Sequence, residues 1–568
     1  MQLQTLDYIV IFGYLAVSIG LGLVMSRRQS GREEFFAASR SMGWFTVGLS
    51  VMATLFSANS FVMYPSAAYS DSIRVGLVLV AFSMMAPVVI WVFVPVYAKL
   101  KVGTAYEYLE KRFHVSVRCL ASGLFVLLRI GWMASATYAA SVAISGISGF
   151  NIYVIIAGLG VVAIFYTMLG GLRAVMWTDV LQFFVFAGTI LFAMGLLISQ
   201  ADGGFSQIKE TYFEGRENLV VNFNFDPALR FGTIAILIGS FLEGLSAFGA
   251  DQVAVQRYIA AKDAKTSQFG FGINIAGMFL VIPGLLAIGM GLYSFFAHNP
   301  DGMAEVALSG LSPKPSATAE EIERAATVRT ALEKGLSITP GGESFEAQAR
   351  EFYAQNPSRL HEDVVKLKLQ DQALPAFVKL KFPPGVVGLL IAALMAATMS
   401  SIDSGIHSVT TALVVDFRDR LMPQWKPKTE KGEMLTARIL LVLIGSAAVI
   451  LACFVSQLGD VFAVAKKTTA AFGGPLLAVF VLGMFSSKVT PVSVFIGTLV
   501  GAVQTAFMME RYPDWFSMWF WPLGFFGALT LSYVLSVLPV SWNEHNPGSR
   551  LTFLNLRRQS EPTSEGES

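Results

Sequence analysis

Apolar residues in this chain fall into continuous blocks of about 20, the length a helix needs to cross a bilayer, separated by polar or charged stretches. Counted at that length, the blocks predict thirteen spans, at 6–25, 44–68, 75–98, 118–147, 151–169, 174–199, 231–255, 268–296, 384–415, 435–457, 461–485, 490–509 and 516–540. The blocks are apolar throughout instead of alternating, which excludes a membrane β-barrel. The predicted fold class is therefore an all-α polytopic membrane protein.

The charged stretches between the blocks orient them. Arg27, Arg28, Arg32 and Arg40 follow the first span, Lys99, Lys101, Lys111 and Arg112 the third, and Arg173 the fifth. Arg257, Lys262 and Lys265 follow the seventh, and Arg418, Arg420, Lys426, Lys428 and Lys431 the ninth. Lys488 follows the eleventh, and Arg557 and Arg558 the last. Every second loop is basic, which predicts that these loops and the C-terminus are cytoplasmic, with the N-terminus outside. An error of one span would scramble this alternation. The first block has no basic residue before it, the reverse of a signal peptide, so it reads as a retained helix. Two outside segments are long. Residues 200–230 carry Asp202, Glu210, Glu214 and Glu217, and 297–383 form a polar insert with a surface helix predicted over 317–334. The tail 541–568 has the composition of a disordered segment.

Composition agrees. Of 568 residues, 54% are hydrophobic and only 14% charged, far from a soluble protein of this length. A net charge of +2 gives no sign of a nucleic-acid partner, and nothing points to an obligate protein partner. Cys119 and Cys453, the two cysteines, both fall in apolar blocks, which argues against a disulfide framework or a cysteine metal site. No nucleophile is arranged with a base, so an enzyme is not expected.

Two spans are conspicuously polar. The second holds Ser50, Thr54, Ser57, Asn59, Ser60 and then Pro65; the seventh holds Gly239, Ser240, Glu243, Gly244, Ser246 and Gly249. Broken helices at matching positions in two halves mark a transporter's binding site, and spans two and seven are five apart. The expected organisation is a first helix and loop (1–42), an inverted five-helix repeat (43–199), an outside loop (200–230) and a second repeat (231–485) holding the insert. Two further helices (486–540) and the cytoplasmic tail follow. In the ninth span, Ala397, Ser400 and Ser401 share a helix face, and Ser404 and Ser408 continue the stripe. Such a row needs another helix, water or an ion as partner. Small residues there let two helices approach closely, and their oxygens also suit a hard cation such as sodium.

Several runs carry a resemblance. The segments Glu34 to Trp44, Thr104 to Phe113, Gly170 to Gln182 and Val255 to Tyr258 resemble the sodium:solute symporter family. So do the Ser400-Ser401 stretch and Gly473 to Leu477. The likeness runs in order from about residue 7 to 540, with the insert as the main unmatched piece. It implies a LeuT-like fold of inverted repeats working by alternating access, with sodium as a transported ion. It also implies a sodium cage of the Ala53, Phe56 and Ala397 carbonyls and the Ser400 and Ser401 hydroxyls. Asp179 reads either as a helix-end charge or as a functional intramembrane carboxylate; the resemblance implies a second cation site of Asp179, Ser401 and Ser404.

The substrate positions depart from the family's sugar transporters. Ser60, Gly244, Ala247 and Lys467 stand where sugar-binding groups or the gating Tyr are expected, with Phe248 beside the gate. Charge replaces them. Lys466 and Lys467 lie near the outer end of the eleventh span, where a lysine snorkels, pairs with Asp460 or Glu243, or holds a solute carboxylate. Arg129 lies deep in the fourth span and needs a partner, either Glu243 or a solute carboxylate. With Ser57, Asn59 and Glu243 these form the expected solute site. The expected activity is sodium-coupled uptake of a small organic solute, most consistent with a carboxylate, across the plasma (inner) membrane. By local likeness the chain is nearest the monocarboxylate, pantothenate and sialic acid branches. The alternatives are a sugar or polyol symporter of the same fold, or a sensor or channel built on it.

Overall fold

The computed structural model describes residues 3–27, 31–214, 216–312, 318–336, 345–455, 461–539 and 548–558, with backbone alone at 461–468 and 557–558. The described residues are helical apart from turns, loops and one isolated bridge between Met42 and Ala261. Among the described residues, ten helices are long and apolar enough to cross a membrane, and eleven if the bent pair at 44–70 is one span. The main ones are α1 (Thr5–Ser26), the bent pair α2 (Trp44–Leu55) and α3 (Ala58–Ser70), α4 (Arg74–Leu100), α5 (Val115–Ser148) and α6 (Ile152–Ser199). They continue with α7 (Thr233–Ala250) and its short extension α8 (Gln252–Ala260), then α9 (Ala264–His298). The insert supplies α10 (Pro357–Lys366) and α11 (Ala373–Lys381). After it come α12 (Val386–Leu421), α13 (Glu430–Ala452), α14 (Val461–Phe485), α15 (Pro491–Arg511) and α16 (Ser517–Val537).

The count differs from thirteen in two places. Residues 151–169 and 174–199 were expected as separate spans and are one helical stretch, α6. Its backbone breaks at Gly171 (φ 57°, ψ −161°), a conformation reserved almost wholly for glycine. Forty-eight helical residues would extend about 72 Å, more than twice a bilayer's hydrocarbon core. The break therefore lets one stretch serve as two crossings. The span expected at 461–485 matches the backbone of α14, which is not among the ten because its side chains are described only from residue 469.

Burial sorts the helices into core and periphery. The most apolar stretch of α12 is 83% buried within the protein, whereas that of α1 is 17% buried and presents Leu6, Ile9, Phe12 and Val17 outward. α12 packs chiefly on α6 and α5, α2 on α9 and α6, and α14 on α16 and α5. Where α2 crosses α9, Gly48 is indispensable: a Cβ there would lie 2.4 Å from the Gly270 carbonyl oxygen. Close approach through small residues replaces the hydrophobic driving force that lipid does not supply. Asp7 of α1, fully buried, accepts from the backbone N–H groups of Gly385 and Gly388 at 2.8 Å each, closing the N-terminus of α12. It meets two of the orphan donors of a helix start and complements the helix dipole.

The insert is a helical cap. Besides α10 and α11 it contains helices Asp301–Gly310, Ala319–Gly335 and Phe345–Gln355. The second matches the surface helix expected at 317–334, with Ala325, Val328 and Leu332 buried. α11 buries Ala373 through Val378 against α5, α3 and α9.

Candidate sodium and solute sites

α2 stops at Leu55 because Phe56 (φ −89°, ψ 104°) and Ser57 (φ −101°, ψ 176°) are extended, and α3 restarts with the Ser57 hydroxyl accepting from the Asn59 N–H at 3.2 Å. The two pieces meet at 63°. A helix end leaves carbonyls without intrahelical partners, and α12 supplies hydroxyls to them. Ser400 Oγ donates to the Ala53 carbonyl at 2.9 Å, and Ser401 Oγ lies 3.3 Å from the Thr54 carbonyl. Both hydroxyls also face the Ala397 carbonyl, at 3.1 and 3.4 Å. A small cavity of about 10 Å³ adjoins them, lined in part by Ala53, Phe56, Ala397 and Ser400. These are hard oxygens facing the negative end of a helix dipole, and a hydroxyl can turn its lone pairs to a cation. Four of the five residues expected to cage sodium line this cavity. The fifth, Ser401, sits against Thr54, whose carbonyl the sequence did not single out.

Beneath it is a buried polar cluster. Asp179 on α6 accepts from Ser50 Oγ at 2.5 Å and from Arg257 Nη2 at 3.0 Å through Oδ2, while its Oδ1 has no hydrogen-bond partner among the described residues. Arg257, on α8, also donates to Ser50 at 2.7 Å and to Ser404. Ser404 Oγ lies 3.2 Å from Thr54 Oγ1. Asp179 and Arg257 are fully buried. The residues expected to hold a second cation are thus brought into one neighbourhood, but it is the Arg257 guanidinium that bridges Asp179 and Ser404.

The solute cavity lies above the break, with a volume of about 140 Å³. Asn59, Ser60, Arg129, Glu243, Gly244, Ala247 and Phe248 all line it. Ser57 does not; it caps α3. Lys467 lies outside the described side chains. Arg129 Nε and Nη2 bind Asp251 Oδ2 at 2.8 and 2.6 Å, both residues about 95% buried. Asp251 had no place among the expected site residues. It stands at the break between α7 and α8, where it also caps α8 by accepting from the Val253 N–H at 2.8 Å. The cavity contains three further donors that have no partner among the described residues: Asn59 Nδ2, Trp132 Nε1 and Trp521 Nε1. The N-terminus of α3 opens on it as well. Buried donors and a helix N-terminus together favour an acceptor-rich, anionic ligand. The two tryptophans carried a readable signal, an apolar ring with one N–H that needs a partner when buried.

The two ends of the bundle differ. On the side of the basic loops, Arg118 pairs with Asp416 at 2.7 Å and Glu110 at 2.6 Å, and Arg173 with Glu34 at 2.5 Å. Arg112 donates to the Gly483 and Ser486 carbonyls at 3.2 and 2.6 Å. These contacts close that side. The solute cavity runs instead toward Phe231 and Phe516 at the insert-bearing end. There His361 of α10 sits edge-on to Tyr69 and Tyr293, with ring centroids at 5.1 and 4.9 Å. Arg216 lies over the Tyr293 and Tyr212 rings at 4.5 and 4.6 Å and donates to the Asp71 carbonyl. Burial, reinforced by the Arg216 charge, pushes the His361 imidazole down to about 4.

The chain is similar to known proteins. The family model of the sodium:solute symporter family matches residues 35–312 and 345–501. The sodium/sialic acid symporter NanT of Aliivibrio fischeri (strain ATCC 700601 / ES114) is 26% identical over 523 residues, covering 90% of this chain and 88% of that one. Sodium-coupled monocarboxylate transporter 1 of Homo sapiens is 28% identical over 505 residues, covering 87% and 72%. A solved sodium-coupled sialic acid symporter, in a substrate-bound outward-open state, has the same fold at a TM-score of 0.76. It is 24% identical, and the match covers 94% of this chain and 98% of that one.

Proposed function

The chain belongs to the sodium:solute symporter family, and from that premise we propose that it imports a small organic carboxylate by sodium-coupled alternating access. The observation that carries the carboxylate is the solute cavity's donor set: Arg129, three unpartnered N–H groups and the start of α3. The likeness to relatives named for sialic acid and monocarboxylates supports it. Sodium enters from the insert-bearing side, taken as the outside because the opposite loops are basic, and settles among the Ala53, Phe56, Ala397, Ser400 and Ser401 oxygens. There it joins α2 to α12 and fixes the shape of the break. That shape presents the N-terminus of α3 and the Asn59 amide to the solute. The solute carboxylate shares or takes over the Arg129 guanidinium from Asp251.

The two ligands stabilise the same state more than either does alone, which is the coupling. Closure at the insert side and rupture of the Arg118–Asp416 and Arg173–Glu34 pairs then open the inner side. Inward sodium flow adds roughly 2.3 kcal/mol per charge per 100 mV of membrane potential. The rocking units are 43–199 and 231–485. Arg257, lodged between Asp179 and Ser404, serves as a tethered cation where a second sodium was expected.

The test is uptake of labelled pyruvate, sialic acid and glucose, side by side, into vesicles with an inward sodium gradient. Uptake of a carboxylate but not of glucose supports the reading. Sodium-driven glucose uptake alone returns the chain to the sugar branch.

A further inference from the structure

A second chamber, of about 170 Å³, lies on the insert side of the solute cavity. Its walls come from α3, α5, α9 and α12, and the insert closes it with Gln370, Asp371 and Gln372. Asn59 and Met63 line both chambers and so form the partition between them. Two polar side chains that are nine-tenths buried carry atoms without a partner among the described residues: Asn59 Nδ2, a donor, and Gln370 Oε1, an acceptor. Arg230, exposed, stands in the same wall, its guanidinium over the Phe231 ring at 5.0 Å. It has no carboxylate within 4 Å among the described residues. Packing alone does not account for a buried orphan acceptor facing a chamber of this size.

We propose that this chamber is an outer solute-binding site in series with the central one, filled before Asn59 and Met63 yield. The proposal rests on the carboxylate reading above and narrows it. Arg230 takes the carboxylate at the rim, and the Gln370 amide oxygen requires a hydrogen-bond donor on the same molecule. The solute class is therefore a carboxylate that also carries a hydroxyl or N–H, such as a hydroxy acid or an acylamino sugar acid. A bare alkanoate satisfies Arg230 and leaves Gln370 unpaired. The insert thereby has a function, as the wall that completes the chamber.

Equilibrium binding of labelled lactate, N-acetylneuraminate and propionate to the purified full chain, in sodium and in choline, tests this. The expected result is two sodium-dependent sites per chain for lactate or N-acetylneuraminate, and one for propionate. Gln370→Leu should reduce two sites to one and raise the KM for uptake about tenfold, the loss of one buried hydrogen bond. Ala143→Phe, which fills the chamber from α5 without touching the central cavity, should do the same. It covers the case in which Gln370→Leu fails to fold. One site in the wild type, with KM unmoved by either change, overturns the outer site while leaving the carboxylate reading standing. Binding of none of the three probes overturns both.

Discussion

Acidification should loosen the insert through His361. Docked, the ring lies between Tyr69 and Tyr293 with Arg216 nearby and titrates near 4; released, it titrates near the ordinary 6.5. A group whose docked value is lowered favours docking fully above its free value and loses that advantage as the pH falls toward the docked one. The window is therefore about 6.5 down to 4. At about pH 5 the penalty is about 2 kcal/mol, some 30-fold in the docking equilibrium, and negligible at about pH 7. It is an upper figure, because the ring is not wholly shielded from solvent. Hydrogen–deuterium exchange over 357–366, corrected for the intrinsic pH dependence of exchange, reads this directly. The wild type should open about 30-fold more at the lower pH, and His361→Phe, which keeps an aromatic ring against the two tyrosines, should not. An equal rise in His361→Phe would assign the effect to neighbours such as Glu362, Asp363, Arg359 or Asp371 and refute the reasoning.

Asp251→Asn should leave Arg129 as a buried charge without its counter-ion, destabilising the solute-free protein by about 3 kcal/mol. A transported carboxylate should then raise the melting temperature more in that variant than in the wild type, and Arg129→Gln should abolish the shift; a thermal-shift series reads both. Asp7→Ala strips the acceptor from the Gly385 and Gly388 N–H groups and should cost about 2–4 kcal/mol. Melting in detergent measures it, and Asp7→Asn should cost less because an amide oxygen still accepts.

Apolar blocks, the alternation of basic loops and the serine stripe were readable because each is local: a run length, a sign, a helical spacing. The polarity of the second and seventh spans was readable for the same reason; the positions of their breaks, at Phe56 and Asp251, were not. Partner choice was not. Arg129 meets Asp251, Asp7 meets the start of α12, and Arg257 lies between Asp179 and Ser404, all across long separations in sequence. An intramembrane charge announces that it needs a partner, but which one is decided by how helices pack. The two crossings expected at 151–169 and 174–199 are joined in one helical stretch that breaks between them at Gly171; that the helix runs on either side of the break was not readable, because it depends on that glycine's backbone angles. The insert looked polar because its helices turn their charged faces outward, which concealed that α11 packs into the bundle.

The central claim is that oxygens of α2 and α12 bind the sodium whose gradient drives uptake. It is tested most directly in proteoliposomes, by the sodium concentration giving half-maximal uptake of a labelled carboxylate in the wild type and in Ser400→Ala and Ser401→Ala. Loss of one of about five ligands should raise that concentration about tenfold or more and flatten gradient-driven accumulation. Sodium activation unchanged in both variants would contradict the account.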